Sequence, residues 1–251
     1  MSLGKLDTFD TPHIAVQQPC FGGIYSLKKR RLEMKRSGQP TFPGLVVIEQ
    51  RDEALEYAQR HTVRTSVGRL TLWADGSRFK AQFGCDQAAG AGVIFQMPLS
   101  VHYNTRMFTL DGNLFSNPVD AELFSIKAAL DVANELIVNQ KESTVNETKV
   151  TKILVYSDSL AMLESIAVWE PYTESANHIR EPLFRSVKRI AAALRASDVK
   201  VELRWVPGHA EVDGNELAHA VAQDAAQMSI WNIHDAAPLP VAPVTSSVNQ
   251  V

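Results

Sequence analysis

The sequence predicts an α/β fold: a mixed five-stranded sheet, with three antiparallel strands plus two parallel strands, and helices on both faces. Three observations predict it. Strand and helix patterns alternate between about residues 67 and 230 in the order βββαβααβα. The first three strand patterns follow one another without a helix, which is typical of an antiparallel meander. The last two strand patterns are each reached through helices, which favours parallel pairing.

The individual elements have recognisable patterns. The meander consists of "GRLTLWAD" (68–75), "GAGVIFQ" (90–96) and "SVHYNTRMFTL" (100–110). A long helix over 117–138 begins with Asn117 as its N-cap and Pro118 at its first helical position. The next segment, "TKILVYSD" (151–158), is too densely apolar for simple alternation, so it predicts a buried strand. The remaining patterns predict helices at 159–169 and about 177–196, a fifth strand at 199–206 and a last helix from about 213.

Composition narrows the class of protein. With 251 residues, 45% of them hydrophobic, the chain can bury a substantial core. No apolar run approaches the roughly 20 residues that a membrane span needs, and the first residues lack the apolar core of a signal peptide. Cys20 and Cys85 are too few for a disulfide scaffold. We therefore expect an intracellular protein, cytoplasmic or nuclear and not secreted, that does not engage a membrane.

The chain divides into three predicted regions. Residues 1–66 form an N-terminal extension that is partly ordered at most, residues 67–230 form the α/β domain, and residues 231–251 form a disordered C-terminal tail rich in Pro, Ala and Ser. The extension carries the cluster "KKRR" at 28–31. This cluster could bind nucleic acid, direct nuclear import, or simply be an exposed run of charge. The net charge of −3 argues weakly against strong non-specific nucleic-acid binding.

Three carboxylates occupy suggestive places on these elements. Asp75 ends the first strand pattern and Asp158 ends the fourth, so the two would meet if those strands are neighbours. Glu122 falls at the centre of the apolar row of the first long helix, where a carboxylate must be protonated, paired or bound to a cation. Taken singly, the three could be a turn residue, a helix cap and a residue favoured by the helix dipole. Together they suggest a site for Mg²⁺ or Mn²⁺, which prefer hard oxygen ligands.

Four motifs carry a resemblance to a known family. "LWADGS", "DAELFSIKAAL", "VYSDS" and "WVPGHAEVDGNELA", read together, resemble the type 1 ribonuclease H family over about residues 69–228. The nearest similarity is to the ribonuclease H domains of retroelement reverse transcriptases and related fungal proteins. The resemblance implies a ribonuclease H-like fold and endonucleolytic cleavage of the RNA strand of RNA–DNA hybrids by two Mg²⁺ or Mn²⁺ ions. We expect the protein to act as a monomer.

The resemblance also assigns roles to particular residues. Asp75, Glu122 and Asp158 match three of the family's metal ligands, and His209 matches its mobile-loop histidine. Asn215 and Glu216 match the Asn-Glu pair that starts the last helix. The segments around these motifs further imply that the substrate is contacted by Gly76, Ser77, Ser159 and Asn215.

His219 is where this chain departs from the family. Members usually read Gly-Asn-Glu-x-x-Asp at this point, whereas this chain ends the motif on His219. A neutral imidazole can ligate a metal through one nitrogen, so we expect His219 to be a fourth metal ligand with a catalytic role. The alternative is a catalytically weakened or silent module that still binds hybrid. Asp213 and Asp224 are nearby carboxylates, but neither has the offset of the motif.

Substrate binding is expected to depend on backbone shape and the 2′-hydroxyl. The candidate phosphate contacts are cations on two segments: Arg78, Lys80, Arg180, Arg185, Lys188 and Arg189. A solvated helix face is the alternative explanation for the last four. Another nuclease of the same superfamily, such as a DNA exonuclease or a transposase core, is a third candidate function. The motif "GHAEVDGNE" argues against it.

Overall fold

The structure is a computed structural model that describes six segments of the chain. These segments are residues 42–63, 66–79, 87–142, 148–168, 179–234 and 244–247. Several features singled out in the sequence lie outside them, namely Cys20, Cys85, Lys80 and the basic cluster at 28–31.

The centre of the structure is one mixed sheet. Its strands, in chain order, are β1 (Leu45–Val47), β2 (Arg69–Phe79), β3 (Ala88–Gln96), β4 (Asn104–Asp111), β5 (Lys152–Ser157), β6 (Lys200–Trp205) and β7 (Val244–Ser247). They are arranged β1-β6-β5-β2-β3-β4-β7. The pairs β2–β3, β3–β4 and β4–β7 are antiparallel, and β2–β5, β5–β6 and β1–β6 are parallel.

The predicted sheet is confirmed, and its strand number is corrected. The five expected strands form the middle of the sheet, with three in antiparallel order and two added in parallel. The structure adds one strand at each edge, β1 and β7, so the described sheet has seven strands rather than five. Strands of three and four residues are too short to show a period in the sequence. This is why both edges escaped prediction.

Five helices occur in the described part of the chain. They are α1 (Arg51–Val63), α2 (Pro118–Glu142), α3 (Leu160–Val168), α4 (Arg180–Ala196) and α5 (Asp213–His234). The predicted start of α2 is confirmed, because Oδ1 of Asn117 accepts the main-chain N–H of Val119 at 3.0 Å and Pro118 is the first helical residue. None of the helices in these segments is both long and apolar enough to cross a membrane.

Helices cover both faces of the sheet, as predicted. On one face, α2, α3 and α4 share a core with Leu70, Leu72 and Ala74 of β2. Trp73 lies between Leu72 and Ala74 in β2 and points to the other face, because successive side chains of a strand point to opposite sides. Helix α5 packs beside Trp73 on that face. Trp73 also stacks on Tyr156 of β5, with ring centroids 5.8 Å apart.

Helix α1 lies on the same face as α5, although it belongs to the predicted N-terminal extension. Its Ala58 is fully buried in the cluster that contains Trp73 and Tyr156. The guanidinium of Arg204 on β6 lies 3.4 Å from the ring centroid of Tyr57, and Nη1 of Arg204 pairs with Glu49 at 2.7 Å. The segment 42–63 is therefore packed onto the sheet, while the division at residue 66 stays a prediction about how the chain is organised.

Candidate active site

Three carboxylates meet where β2, β5 and α2 converge. Asp75 lies in β2, Asp158 directly follows β5, and Glu122 lies in the first part of α2. One carboxylate oxygen from each lies within 4.8 Å of the others. This confirms that the three side chains named from the sequence lie together, at a spacing at which they could hold metal ions.

Strand pairing brings the two aspartates together. Strands β2 and β5 are parallel neighbours, and Trp73 pairs with Tyr156, two residues before each aspartate. The expectation that Asp75 ends its strand is wrong, since β2 continues to Phe79 while paired with β3. The Asp-Gly-Ser sequence is typical of a turn, but these three residues pair with β3 and remain part of the strand. Asp158 does end its strand, as predicted.

Gly76 and Ser77 follow Asp75 directly in the Asp-Gly-Ser motif. A Cβ atom added to Gly76 would lie only 2.3 Å from the main-chain carbon of Ala121 in α2. Only glycine therefore allows α2 to approach β2 so closely. Ser77 is buried, with 9% of its surface exposed. Their predicted contact with substrate stays a prediction.

The three carboxylates strongly disfavour one another's charge. Burial, followed by the charge of Asp158, raises the pKa of Asp75 to about 6, against a lowering by the hydrogen bond from His219. Burial and the charges of Asp75 and Asp158 raise the pKa of Glu122 well above its ordinary value. Like charges held this close call for a compensating cation. The donor set, all carboxylate oxygen, suits Mg²⁺ or Mn²⁺.

The loop between β6 and α5 is anchored against Asp158. The indole N–H of Trp205 donates to the main-chain oxygen of Asp158 at 3.2 Å. A Cβ atom added to Gly208 would lie 2.8 Å from Oδ2 of Asp158, so the loop passes close to that carboxylate. His209 is exposed and has a left-handed backbone with φ of 51°. A non-glycine residue in that conformation is uncommon and worth a functional explanation.

His219 lies beside the carboxylates and contacts Asp75. Its Nδ1 atom is 2.8 Å from Oδ2 of Asp75, and its ring packs edge-on against His209 with centroids 5.2 Å apart. In the described segments, the group of mutually close metal-capable side chains comprises the three carboxylates without His219. The role of His219 as a fourth metal ligand stays a prediction.

Gln223 is the site residue that the sequence analysis missed. Its side-chain amide nitrogen lies 2.9 Å from Nε2 of His219. A signal for it was present in the sequence, since residues four apart on a helix share a face. It was overlooked because the family motif ends at residue 219.

The start of α5 holds further polar groups of the predicted site. Asn215 is buried, with 2% of its surface exposed, and its Oδ1 atom has no hydrogen-bond partner in the described part of the chain. The same is true of Oε1 of Glu216. The main-chain oxygen of Ser159 accepts the N–H of Leu163 at 3.1 Å, so Ser159 is the N-cap residue directly before α3. Asp213 and Asp224 are exposed.

The proposed phosphate contacts differ in their exposure. Arg180 is wrong for this role, because its side chain is 8% exposed and its Nε atom pairs with fully buried Asp120 at 2.7 Å. The sequence shows that α4 begins with several cations, but it does not show which of them are buried. Arg78 donates to the side chain of Gln87, and Arg185 is exposed and pairs with Glu181 at 2.7 Å. Lys188 is partly exposed and Arg189 is exposed.

The fold and the site define an α/β domain with a carboxylate centre suited to divalent metal ions. The chain belongs to the ribonuclease H family: the model of that family, RNase H, matches residues 68–227. This confirms the resemblance read from the four motifs. The family cleaves the RNA strand of RNA–DNA hybrids and generally uses divalent metal ions.

Several solved structures are similar to this chain. LC9-RNase H1, a type 1 RNase H with the type 2 active-site motif, is 18% identical, with 66% of this chain and 75% of that chain covered and a TM-score of 0.41. RNase H1 from the halophilic archaeon Halobacterium salinarum is 19% identical, with 64% and 99% covered and a TM-score of 0.40. LC11-RNase H1, solved in complex with an RNA/DNA hybrid, is 16% identical, with 62% and 98% covered and a TM-score of 0.38. In sequence, no curated protein matches the chain.

Proposed function

We propose that this chain is an endonuclease that hydrolyses the RNA strand of RNA–DNA hybrids with two divalent metal ions, Mg²⁺ or Mn²⁺. The observation that carries the proposal is the cluster of Asp75, Glu122 and Asp158, in which one oxygen from each carboxylate lies within 4.8 Å of the others. It lies inside the region that matches the ribonuclease H family. Three carboxylates from separate motifs of the family would not be expected to meet by chance. Their combined negative charge needs a cation.

The three carboxylates would hold the ions. Asp75 lies on the central strand and would bind them together with Asp158 and Glu122. When bound, such ions lower the pKa of a water molecule and stabilise the charge on the leaving 3′-oxygen. The raised pKa values of Asp75 and Glu122 support this reading, because a cation would offset the repulsion that raises them.

His209 would transfer a proton in this proposal. It is exposed on a loop whose Gly208 lies against Asp158, and its ring rests on His219. An imidazole so placed can accept or deliver a proton near neutral pH as the RNA strand is cut, or can assist the departure of product. We assign these roles to His209 as part of the proposal.

Substrate contacts surround the carboxylates. We propose Gly76, Ser77 and Ser159, which lie next to them in the chain, and Asn215, whose buried Oδ1 atom has no partner in the described part of the chain. Arg185, Lys188 and Arg189 on α4 are the remaining candidates for the phosphate backbone among the described cations of that helix. We propose that the protein binds the hybrid as a monomer.

One observation favours a second candidate function. His219 replaces the family's fourth carboxylate and makes a hydrogen bond to Asp75 at 2.8 Å. A chain with three carboxylates could hold its ions too weakly for catalysis. Such a protein would be a catalytically silent module that still binds hybrid.

One assay separates these functions. End-labelled RNA–DNA hybrid, RNA duplex and DNA duplex are each incubated with Mg²⁺ and with Mn²⁺, and binding is measured in parallel. We expect internal cuts in the RNA of the hybrid alone. Asp158→Asn should lower cleavage by orders of magnitude and leave the melting curve intact, whereas Asp224→Asn, an exposed aspartate on α5, should change neither. Binding without cleavage would select the silent module, and cutting of DNA duplex would select another nuclease.

A further inference from the structure

Gln223, His219 and Asp75 form a chain of hydrogen bonds that leads to the metal-binding carboxylates. Gln223 lies one turn beyond His219 on α5, and its amide nitrogen is 2.9 Å from Nε2 of His219. The other ring nitrogen, Nδ1, is 2.8 Å from Oδ2 of Asp75. Both nitrogens of the imidazole are therefore engaged by neighbouring side chains.

The two neighbours of His219 require the same position for its proton. An amide nitrogen donates and cannot accept, so Nε2 of His219 must carry the lone pair that accepts from Gln223. A carboxylate accepts and, when ionised, cannot donate, so Nδ1 must carry the proton that is donated to Asp75. The two contacts are independent of each other, and both select the neutral imidazole with its proton on Nδ1.

This arrangement leaves His219 without a free lone pair for a metal ion. Its Nε2 lone pair is directed at Gln223, and its Nδ1–H is directed at Asp75. A hydrogen bond from a neighbouring group to a ligating carboxylate fixes the orientation of that carboxylate. His219, which replaces the family's last carboxylate, would thus influence the metal site by orienting Asp75.

We propose that Gln223 is a positioning residue that holds His219 in the Nδ1–H tautomer, so that His219 orients Asp75 by a hydrogen bond instead of ligating metal. The proposal rests on the proposed function for the role of Asp75 as a ligand. His219 is then a hydrogen-bond donor to Asp75 and not a fourth metal ligand. Gln223, which lies beyond the family motif, becomes a residue of the site.

Nuclear magnetic resonance can locate the proton directly. The full-length chain is labelled with ¹⁵N at histidine, and long-range ¹H–¹⁵N correlations are recorded without metal at one neutral pH. His219→Asn identifies the signals of His219 by their loss. We expect a protonated, pyrrole-type Nδ1 and an unprotonated, pyridine-type Nε2. Saturating Mg²⁺, which is diamagnetic, should leave this pattern in place. An Nε2–H tautomer in the wild type, an equal mixture, or a Mg²⁺-induced shift typical of a coordinated nitrogen would overturn the proposal.

Variants of Gln223 test its part in the arrangement. Gln223→Glu replaces the donor by an acceptor, so a proton should appear on Nε2 while Nδ1–H still donates to Asp75. Gln223→Leu removes the donor and leaves Asp75 alone to select the tautomer, so a minor Nε2–H population should appear beside the Nδ1–H form. Gln227→Leu, at an exposed position one turn further along α5, is the matched control and should behave as wild type. An unprotonated Nε2 in Gln223→Glu, or a Gln223→Leu spectrum identical to that of the wild type, would overturn the role of Gln223.

Metal affinity supplies the second readout. Titration calorimetry with Mg²⁺ should show binding weakened about tenfold in Gln223→Leu, the low end of what loss of such a supporting contact costs. Equal affinity in the variant and the wild type would contradict the proposal. Both readouts are taken without substrate. A protein that fails to cleave hybrid therefore fails the proposed function, whereas an unexpected tautomer fails only this inference.

Discussion

The main-chain N–H of Gly76 donates a hydrogen bond to Oε2 of Glu122 at 3.3 Å. This bond joins the central strand to the helix that carries the second carboxylate. It forms because Gly76 has no side chain and α2 can approach β2 at that point. The bond favours the ionised form of Glu122, while burial and two neighbouring carboxylates oppose that form more strongly. Ionisation of the site is therefore disfavoured until a cation compensates its charge.

The stability of the metal-free protein should fall as the pH rises through about 6. The pKa of Asp75 is raised from 3.8 to about 6 in the folded state. The stability that its protonated form contributes is fully present below the unfolded-state value and is lost as pH rises through the folded-state value. We expect a loss on the order of 2 kcal/mol between about pH 4 and 7, measured by urea unfolding in EDTA. Asp75→Asn should flatten this profile, and so should Mg²⁺. A wild-type profile that is flat or rises in EDTA would contradict the raised pKa.

Glu122→Gln should stabilise the metal-free protein and abolish its response to metal. The amide keeps the size of the side chain and can still accept from Gly76, but it removes one of three repelling charges. We expect a melting temperature about 2–4 °C higher in EDTA at neutral pH, equivalent to roughly 1 kcal/mol. Mg²⁺ should no longer raise the melting temperature, and hybrid cleavage should fall at least about 100-fold.

The matched control for Glu122→Gln is Glu164→Gln, which removes a carboxylate from the exposed side of α3. It should leave the melting temperature, the metal response and cleavage unchanged. A Glu122→Gln protein that is less stable than wild type in EDTA would show that the Glu122 carboxylate is not under electrostatic strain.

His219→Asp should strengthen Mg²⁺ binding and weaken the metal-free fold. It places a fourth carboxylate next to Asp75, whose ionisation is already disfavoured. We expect several-fold tighter Mg²⁺ binding by calorimetry, faster Mg²⁺-supported cleavage and a lower melting temperature in EDTA. His102→Asp, at an exposed histidine of the β3–β4 loop, should show none of these changes. Unchanged Mg²⁺ affinity in His219→Asp would show that the side chain at position 219 does not affect metal binding.

The same pair of proteins also tests metal preference. Nitrogen ligands suit Mn²⁺ better than Mg²⁺, which strongly prefers oxygen. A wild type that favours Mn²⁺, with a preference that disappears in His219→Asp, would support ligation by His219. An equal Mn²⁺-to-Mg²⁺ ratio in the two proteins would support the role of His219 as a hydrogen-bond donor.

Arg180→Met should reduce stability more than hybrid binding. The Arg180 guanidinium lies 2.7 Å from Asp120, whose side chain is fully buried two residues before Glu122. Removing one partner of a buried ion pair costs about 3–5 kcal/mol, because the other charge loses its compensation. Adding Asp120→Asn to the variant should recover much of the loss. Arg185→Met, on the exposed side of α4, should change the unfolding free energy by less than about 0.5 kcal/mol. A stable Arg180→Met protein with weak hybrid binding would instead identify Arg180 as a phosphate contact.

Much of the architecture was decided by local patterns in the chain. The dense apolar run before Asp158 predicted a buried strand, and the Asn117-Pro118 pair predicted the start of α2, because both signals depend on residues close together in sequence. The three carboxylates could be named because each lies in a family motif. Their meeting followed from the expected neighbouring strands, and the pairing of β2 with β5 confirmed it.

Only the tertiary structure decided which distant side chains touch. Helix periodicity could not tell that Arg180 pairs with Asp120, 60 positions away, so a buried ion pair was read as a phosphate contact. Pairing with β3 extended β2 through Asp75, and packing against Trp73 and Tyr156 placed α1 on the sheet. The substitution at His219 was visible in the sequence. Its hydrogen bonds to Asp75 and Gln223 were not, because they depend on how α5 lies against β2, and that is settled by packing and not by any local pattern.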